Sequence, residues 1–139
     1  MESPQFSKTV VSKYEGDNVE VEFHKIEFDD KVIINIKIDG AMDSTFDVPM
    51  SNKALMAAGD SRVESDLGIE PVVLVGDSGN TKLQIVATQV GKVVATSGRP
   101  KNTILSVGSR WFGKGDESSE DDFTKLLFVL ENVKKLYSI

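Results

Sequence analysis

Val72-Val73-Leu74-Val75 is a short apolar run, and a tight polar loop follows it, Gly76-Asp77-Ser78-Gly79-Asn80. From Thr81 the pattern changes. Leu83, Val86, Ala87, Val90, Val93 and Val94 recur at steps of three and four, the spacing of one helix face. Gly98-Arg99-Pro100 stops that helix, with Gly past its end and Pro beyond. Thr103-Ile104-Leu105-Ser106-Val107 then reads as another short buried strand. Strand, loop, helix and strand thus occupy the middle of the chain, and so apolar a helix needs a sheet to cover.

The residues before this unit supply one. Residues 1–17 are polar and read as loose, although Phe6, Val10, Val11 and Tyr14 are able to dock on the body. In Val19 to Phe28, Val19, Val21 and Phe23 alternate with Glu20, Glu22 and His24, the mark of a half-buried strand. Ile26 and Phe28 fall on the opposite parity, which a bulge near His24-Lys25 would explain. Lys31 to Asp39 carries Val32, Ile34, Ile36 and Ile38 on one face, and Asp39-Gly40 is a hairpin signal. Thr45 to Met50 returns with Phe46 and Val48 inward, completing a three-stranded antiparallel meander. Residues 51–70 and 109–122 read as long loops, with a helical turn at Ala54 to Ala58. A final helix runs to about Tyr137, with Phe123, Leu126, Leu127, Leu130, Val133 and Tyr137 as its stripe. The expected fold is α+β, one domain over residues 1–139. It is a mainly antiparallel sheet of about six strands packed with two main amphipathic helices.

A length of 139 residues is enough for one proper core. The net charge of −6, without any run of Lys and Arg, argues against a nucleic-acid or anionic-membrane surface. The absence of cysteine removes disulfides, thiolate metal sites and a Cys nucleophile together. Met1-Glu2-Ser3-Pro4 has neither the basic start nor the apolar region of a signal peptide, and no apolar run is of membrane-spanning length. Cytosol, or cytosol and nucleus, is the default compartment.

Gly76-Asp77-Ser78-Gly79 is the most enzyme-like string. A Ser hydroxyl becomes a useful nucleophile only when a base, nearly always a His held by a carboxylate, takes its proton. The sole histidine is His24, far upstream in a strand, whereas hydrolases with a Gly-Asp-Ser string draw their His from near the C-terminus. Asp77, Ser78 and Asn80 are better read as turning the chain and capping the helix. A phosphate loop fails on spacing, since two residues separate Gly76 from Gly79 and Lys82 stands three beyond. Asp116, Glu117, Glu120, Asp121 and Asp122 lack the ligand alternation of a calcium loop. No cofactor or metal is expected. Arg110-Trp111-Phe112, two aromatics among glycines and cations, has the composition of either core filler or a partner-binding patch. His24 reads as a strand-surface or interface residue.

In order, the sequence offers Phe23-His24, the strand Val32 to Ile38 with Gly40, and Phe46-Asp47-Val48-Pro49-Met50. Leu74-Val75-Gly76-Asp77 follows, then the helix around Leu83 to Val94, the strand Lys101 to Ser106, and a last helix with Leu127, Val129, Glu131 and Asn132. This set, spanning residues 19–137, resembles the proteasome assembly chaperones, and among them the fourth. Residues 51–70 and 110–122 are longer than that family leads one to expect. The resemblance implies a non-catalytic protein that pairs as a heterodimer with a chaperone-3-like partner. It also implies binding to α-type subunits of the proteasome core particle while the α-ring assembles. Such a dimer would use the sheet edge or the helix faces, with Trp111, Phe112 and the acidic loop Asp116 to Asp122 as candidates for the subunit side; Arg110 and His24 are further candidate interface residues. The alternative is a small hydrolase or ligand-binding domain built on the Gly76–Thr81 loop, where a helix N-terminus attracts an anion.

Overall fold

A computed structural model describes residues 7–50, 69–113 and 119–139. Strands β1 (Ser7–Tyr14), β2 (Val19–Glu27), β3 (Lys31–Ile38), β4 (Ser44–Val48), β5 (Val72–Val75) and β6 (Asn102–Val107) form one sheet. Their order across it is β1-β2-β3-β6-β4-β5. Helix α1 (Thr81–Ala95) lies between β5 and β6 in the chain, and α2 (Asp122–Leu136) ends it. All strand pairs are antiparallel except β3 with β6. The architecture is the expected α+β one.

Four local expectations are corrected. The first concerns residues 1–17, read as loose, of which Ser7–Tyr14 is an edge strand in full register with β2. Its inward positions are Lys8, Val10, Ser12 and Tyr14, so apolar alternation is hidden. Helix α2 satisfies the polar ones: the Lys8 ammonium donates to the Lys135 carbonyl, and the Ser12 hydroxyl donates to Asn132.

The second is the meander. Asp39 and Gly40 do turn the chain, both at positive φ, with Ile38 and Ala41 exchanging backbone hydrogen bonds of 2.9 and 3.0 Å. Pairing stops there, because β6 enters between β3 and β4, matching Lys31 to Asn102 and Ile36 to Val107. The true meander is β1-β2-β3.

The third is the bulge at His24-Lys25. Register between β2 and β3 is unbroken from Val21–Ile38 to Glu27–Val32. Lys25 and Glu27 take the inward positions themselves as a buried ion pair, Nζ to Oε1 3.2 Å. Ile26 points to the opposite face.

The fourth is the α2 stripe. Val129, Val133, Leu136 and Tyr137 are buried, whereas Phe123 is 67% exposed and Leu127 lies outward. The helix is turned so that Lys125 and Asn132 face inward, their polar ends taken by the Trp111 carbonyl and by Ser12.

Both helices lie on one face of the sheet, α1 over β4 and β6, α2 over β1 and β2, and they touch each other. Between them and the sheet lie Val21, Phe23, Ile34, Ile36, Phe46, Leu105 and the buried face of α1. Gly91 lets α1 press against β4: a Cβ there would sit 2.8 Å from Val48 and 2.9 Å from Ile69. Among the described residues no helix is long and apolar enough to cross a membrane.

Candidate protein interface

The Gly76–Thr81 loop spends its polar groups on structure. Asp77 accepts from the Gly79 backbone N–H at 2.8 Å, and Asn80 caps α1 by accepting from Leu83 N–H at 3.1 Å. The Ser78 carbonyl, not its hydroxyl, is held by Gln84. Its strand β5 stands four positions from β2 in the sheet, roughly 19 Å at the usual strand spacing, so His24 and Ser78 are not brought together. The Nε2 of His24 instead meets the Ser7 hydroxyl at 2.9 Å. Strand β5 is also not a buried strand: Val72, Leu74 and Val75 are each more than half exposed at the sheet edge.

Trp111 and Phe112 belong to a short 3-10 turn, Arg110–Phe112. Phe112 is only 4% exposed and joins the core. The half-buried Trp111 ring lies edge-on to Tyr14 at 5.1 Å, with the Lys125 ammonium 5.1 Å from its centre. Its indole N–H donates to Asp17 at 2.9 Å. The pair therefore locks the β1–β2 turn and α2 together. What remains outward is a shallow groove of about 360 Å³ lined by Trp111, Arg110, Val19, Ile38, Asp39 and Asp43. His24 lies on the other face of the sheet, so the structure does not gather the four candidate residues into one patch.

Asp116 and Glu117 lie outside the described residues, as do residues 51–68. Asp121 and Asp122 are tied to Lys125 and Lys82, at 3.6 and 3.2 Å. The Ser119 hydroxyl and the Lys125 charge hold the Asp121 carboxyl below its ordinary range.

The more informative surface is the sheet face away from the helices, which no described element covers. It divides into bands set by strand register. At one end Ile26, Ile33 and Ile104 stand side by side across β2, β3 and β6. The middle row reads Thr9, His24, Asn35, Ser106, Thr45. Toward the β3 turn lie Lys13, Glu20, Glu22 and Lys37. Three half-buried isoleucines in a row are not what an outer sheet face in water requires. Sequence reasoning passed over this row, although its signal is present. Ile33 and Ile104 interrupt the alternation of β3 and β6, and the parity of Ile26 imitates a bulge.

Sheet and helix pair together form a two-layer domain with one sheet face that no described element covers. A family model described as 20S proteasome chaperone assembly proteins 3 and 4 matches residues 1–134, and the chain belongs to this family of proteasome assembly chaperones. It is similar to Proteasome chaperone 3 of Saccharomyces cerevisiae, 23% identical over 157 aligned residues covering 88% of each protein. Its fold matches a chain in the crystal structure of a novel chaperone complex for yeast 20S proteasome assembly. That match has a TM-score of 0.71 and 25% identity over 95% of this chain and 98% of the other.

Proposed function

We propose that this protein is a non-catalytic chaperone that pairs with a second small chaperone through its bare sheet face. The pair then holds α-type subunits of the proteasome core particle during α-ring assembly. The observation that carries this reading is the row Ile26, Ile33 and Ile104 on a face no described element covers. Two sheets stack face to face at about 10 Å with interdigitating side chains, and such a row suits that packing better than it suits water. The solved relative is itself part of a chaperone complex, which supports pairing with a second chaperone. On this proposal the bare face, rather than the sheet edge or the helix faces, does the pairing, which leaves the helix layer and the Trp111 groove for a subunit. Binding of this kind has to be strong enough to order subunits and weak enough to be displaced.

The test is a tagged pull-down from the protein's own cells, read by mass spectrometry, with the wild type beside Ile33→Asp. Wild type should recover a second small chaperone and α-subunits but few mature β-subunits, and Ile33→Asp should lose the chaperone. Recovery of wild type alone would sink the reading.

A further inference from the structure

We propose that Asn35, with His24 beside it, selects which second chaperone the bare sheet face accepts; this rests on the pairing surface assigned above. Asn35 stands in β3 between Ile34 and Ile36, in a strand otherwise rich in isoleucine, and an amide is a poor strand former. Its neighbours in the row are already served. Ser106 and Thr45 bond each other through their hydroxyls at 2.9 Å, and His24 meets Ser7. Among the described residues the Asn35 amide has no hydrogen-bond partner, although the residue is half-buried.

In water that costs nothing. Under a covering sheet, an amide left unpaired loses its hydration without replacement. The face therefore accepts a sheet that places a donor and an acceptor opposite Asn35 and apolar side chains opposite Ile26, Ile33 and Ile104, and it penalises one that is apolar throughout. An unpaired polar group within a contact is how coiled coils fix register and partner at some cost in affinity, and Asn35 is the member of its row whose polar end is still unspent. The occupant is thus a second small α+β chaperone with a hydroxyl or amide at the matching position. In a second copy Ser106, Thr45 and His24 are likewise already bonded, and each molecule carries a net charge of −6, so self-pairing is disfavoured.

The test uses the full chain and, as probe, the recombinant second chaperone of the family from the same organism. Hetero-pairing is measured by calorimetry and self-association by analytical ultracentrifugation. Asn35→Leu should weaken hetero-pairing, because the partner's matching polar group loses its bond, and gain self-association, so that the ratio of hetero- to homo-affinity falls by about tenfold or more. The substitution suits a strand, so thermal unfolding should show an intact monomer. A ratio unchanged within about twofold, alongside loss of pairing in Ile33→Asp, would overturn the role of Asn35 alone. Pairing that survives Ile33→Asp would remove the pairing surface itself, and the proposal with it.

Discussion

The Lys25 ammonium and the Glu27 carboxylate lie 3.2 Å apart on the inward face of β2, and each residue is less than a tenth exposed. Glu27 also receives Lys101 at 3.1 Å and Arg99 at 3.7 Å, while Lys25 sits 4.3 Å over the Tyr137 ring. A carboxylate with three cations closes the end of the core beneath the last turn of α2. Burial pushes the Lys25 ammonium below its ordinary range, against the Glu27 hydrogen bond. It pushes the Tyr137 hydroxyl upward as well.

Removing one partner should therefore be worse than removing both. Glu27→Ala leaves buried Lys25 without its nearest countercharge and should cost about 3–5 kcal/mol in urea unfolding. The double change Lys25→Met with Glu27→Leu should recover most of that loss. Equal losses in the two variants would show that the pair is not coupled.

The same carboxylate gives acid sensitivity. Burial raises the Glu27 pKa, but the Lys101 and Lys25 hydrogen bonds outweigh it and hold the group below the ordinary 4.5. Asp43 is held low chiefly by the Ser109 backbone N–H. A depressed folded pKa means that the unfolded chain takes up protons first, so this stability is present above the ordinary value and is lost as pH falls from there through the folded pKa. Unfolding free energy should decline below about pH 4.5, and Glu27→Gln should make that decline shallower.

Gly91 sits mid-helix, where alanine is ordinarily better by about 1 kcal/mol. Here the added carbon would meet Val48 and Ile69 inside 3 Å. Gly91→Ala should therefore destabilise by about 1–3 kcal/mol, the usual cost of overpacking. A rise in melting temperature would contradict the close approach of α1 to β4.

Asn80→Ala should cost about 1 kcal/mol through loss of the α1 cap. Ser78→Ala, in the same loop, should leave both stability and chaperone pairing unchanged. Loss of an activity on Ser78→Ala would revive the loop as a reactive site.

Trp111→Ala should lower stability by about 3 kcal/mol, because its ring bridges Tyr14, Phe112 and Phe128. Pairing through the proposed opposite face should survive at a temperature where the variant is folded. Circular dichroism and calorimetry on one sample separate the two effects.

Long periodic segments were the readable part of this chain. The inward residues of α1 and the alternation of β3 and β4 follow directly from spacing, as do the turn at Asp39-Gly40 and the cap at Asn80. Failures occur where polar residues occupy inward positions. Lys8 and Ser12 conceal β1, Lys25 and Glu27 imitate a bulge, and Lys125 and Asn132 rotate the apparent stripe of α2. In each case the missing information is a partner distant in sequence, which no local pattern carries. Of the interface candidates, His24 lies on the bare face and Phe112 is spent in the core. The isoleucine row is seen only once register aligns β2, β3 and β6.

The insertion of β6 between β3 and β4 also orders events in time. The β1-β2-β3 meander closes on short turns, whereas β3 must wait for a strand about seventy residues later, a separation that slows folding. Until Ile104 arrives, the isoleucine row stops at Ile33 and β4 has no neighbour on its β3 side. On a ribosome the proposed pairing surface is thus one of the last features to be completed. A nascent or truncated chain lacking β6 offers a partner only half a face, so competence to pair reports that the molecule is nearly whole.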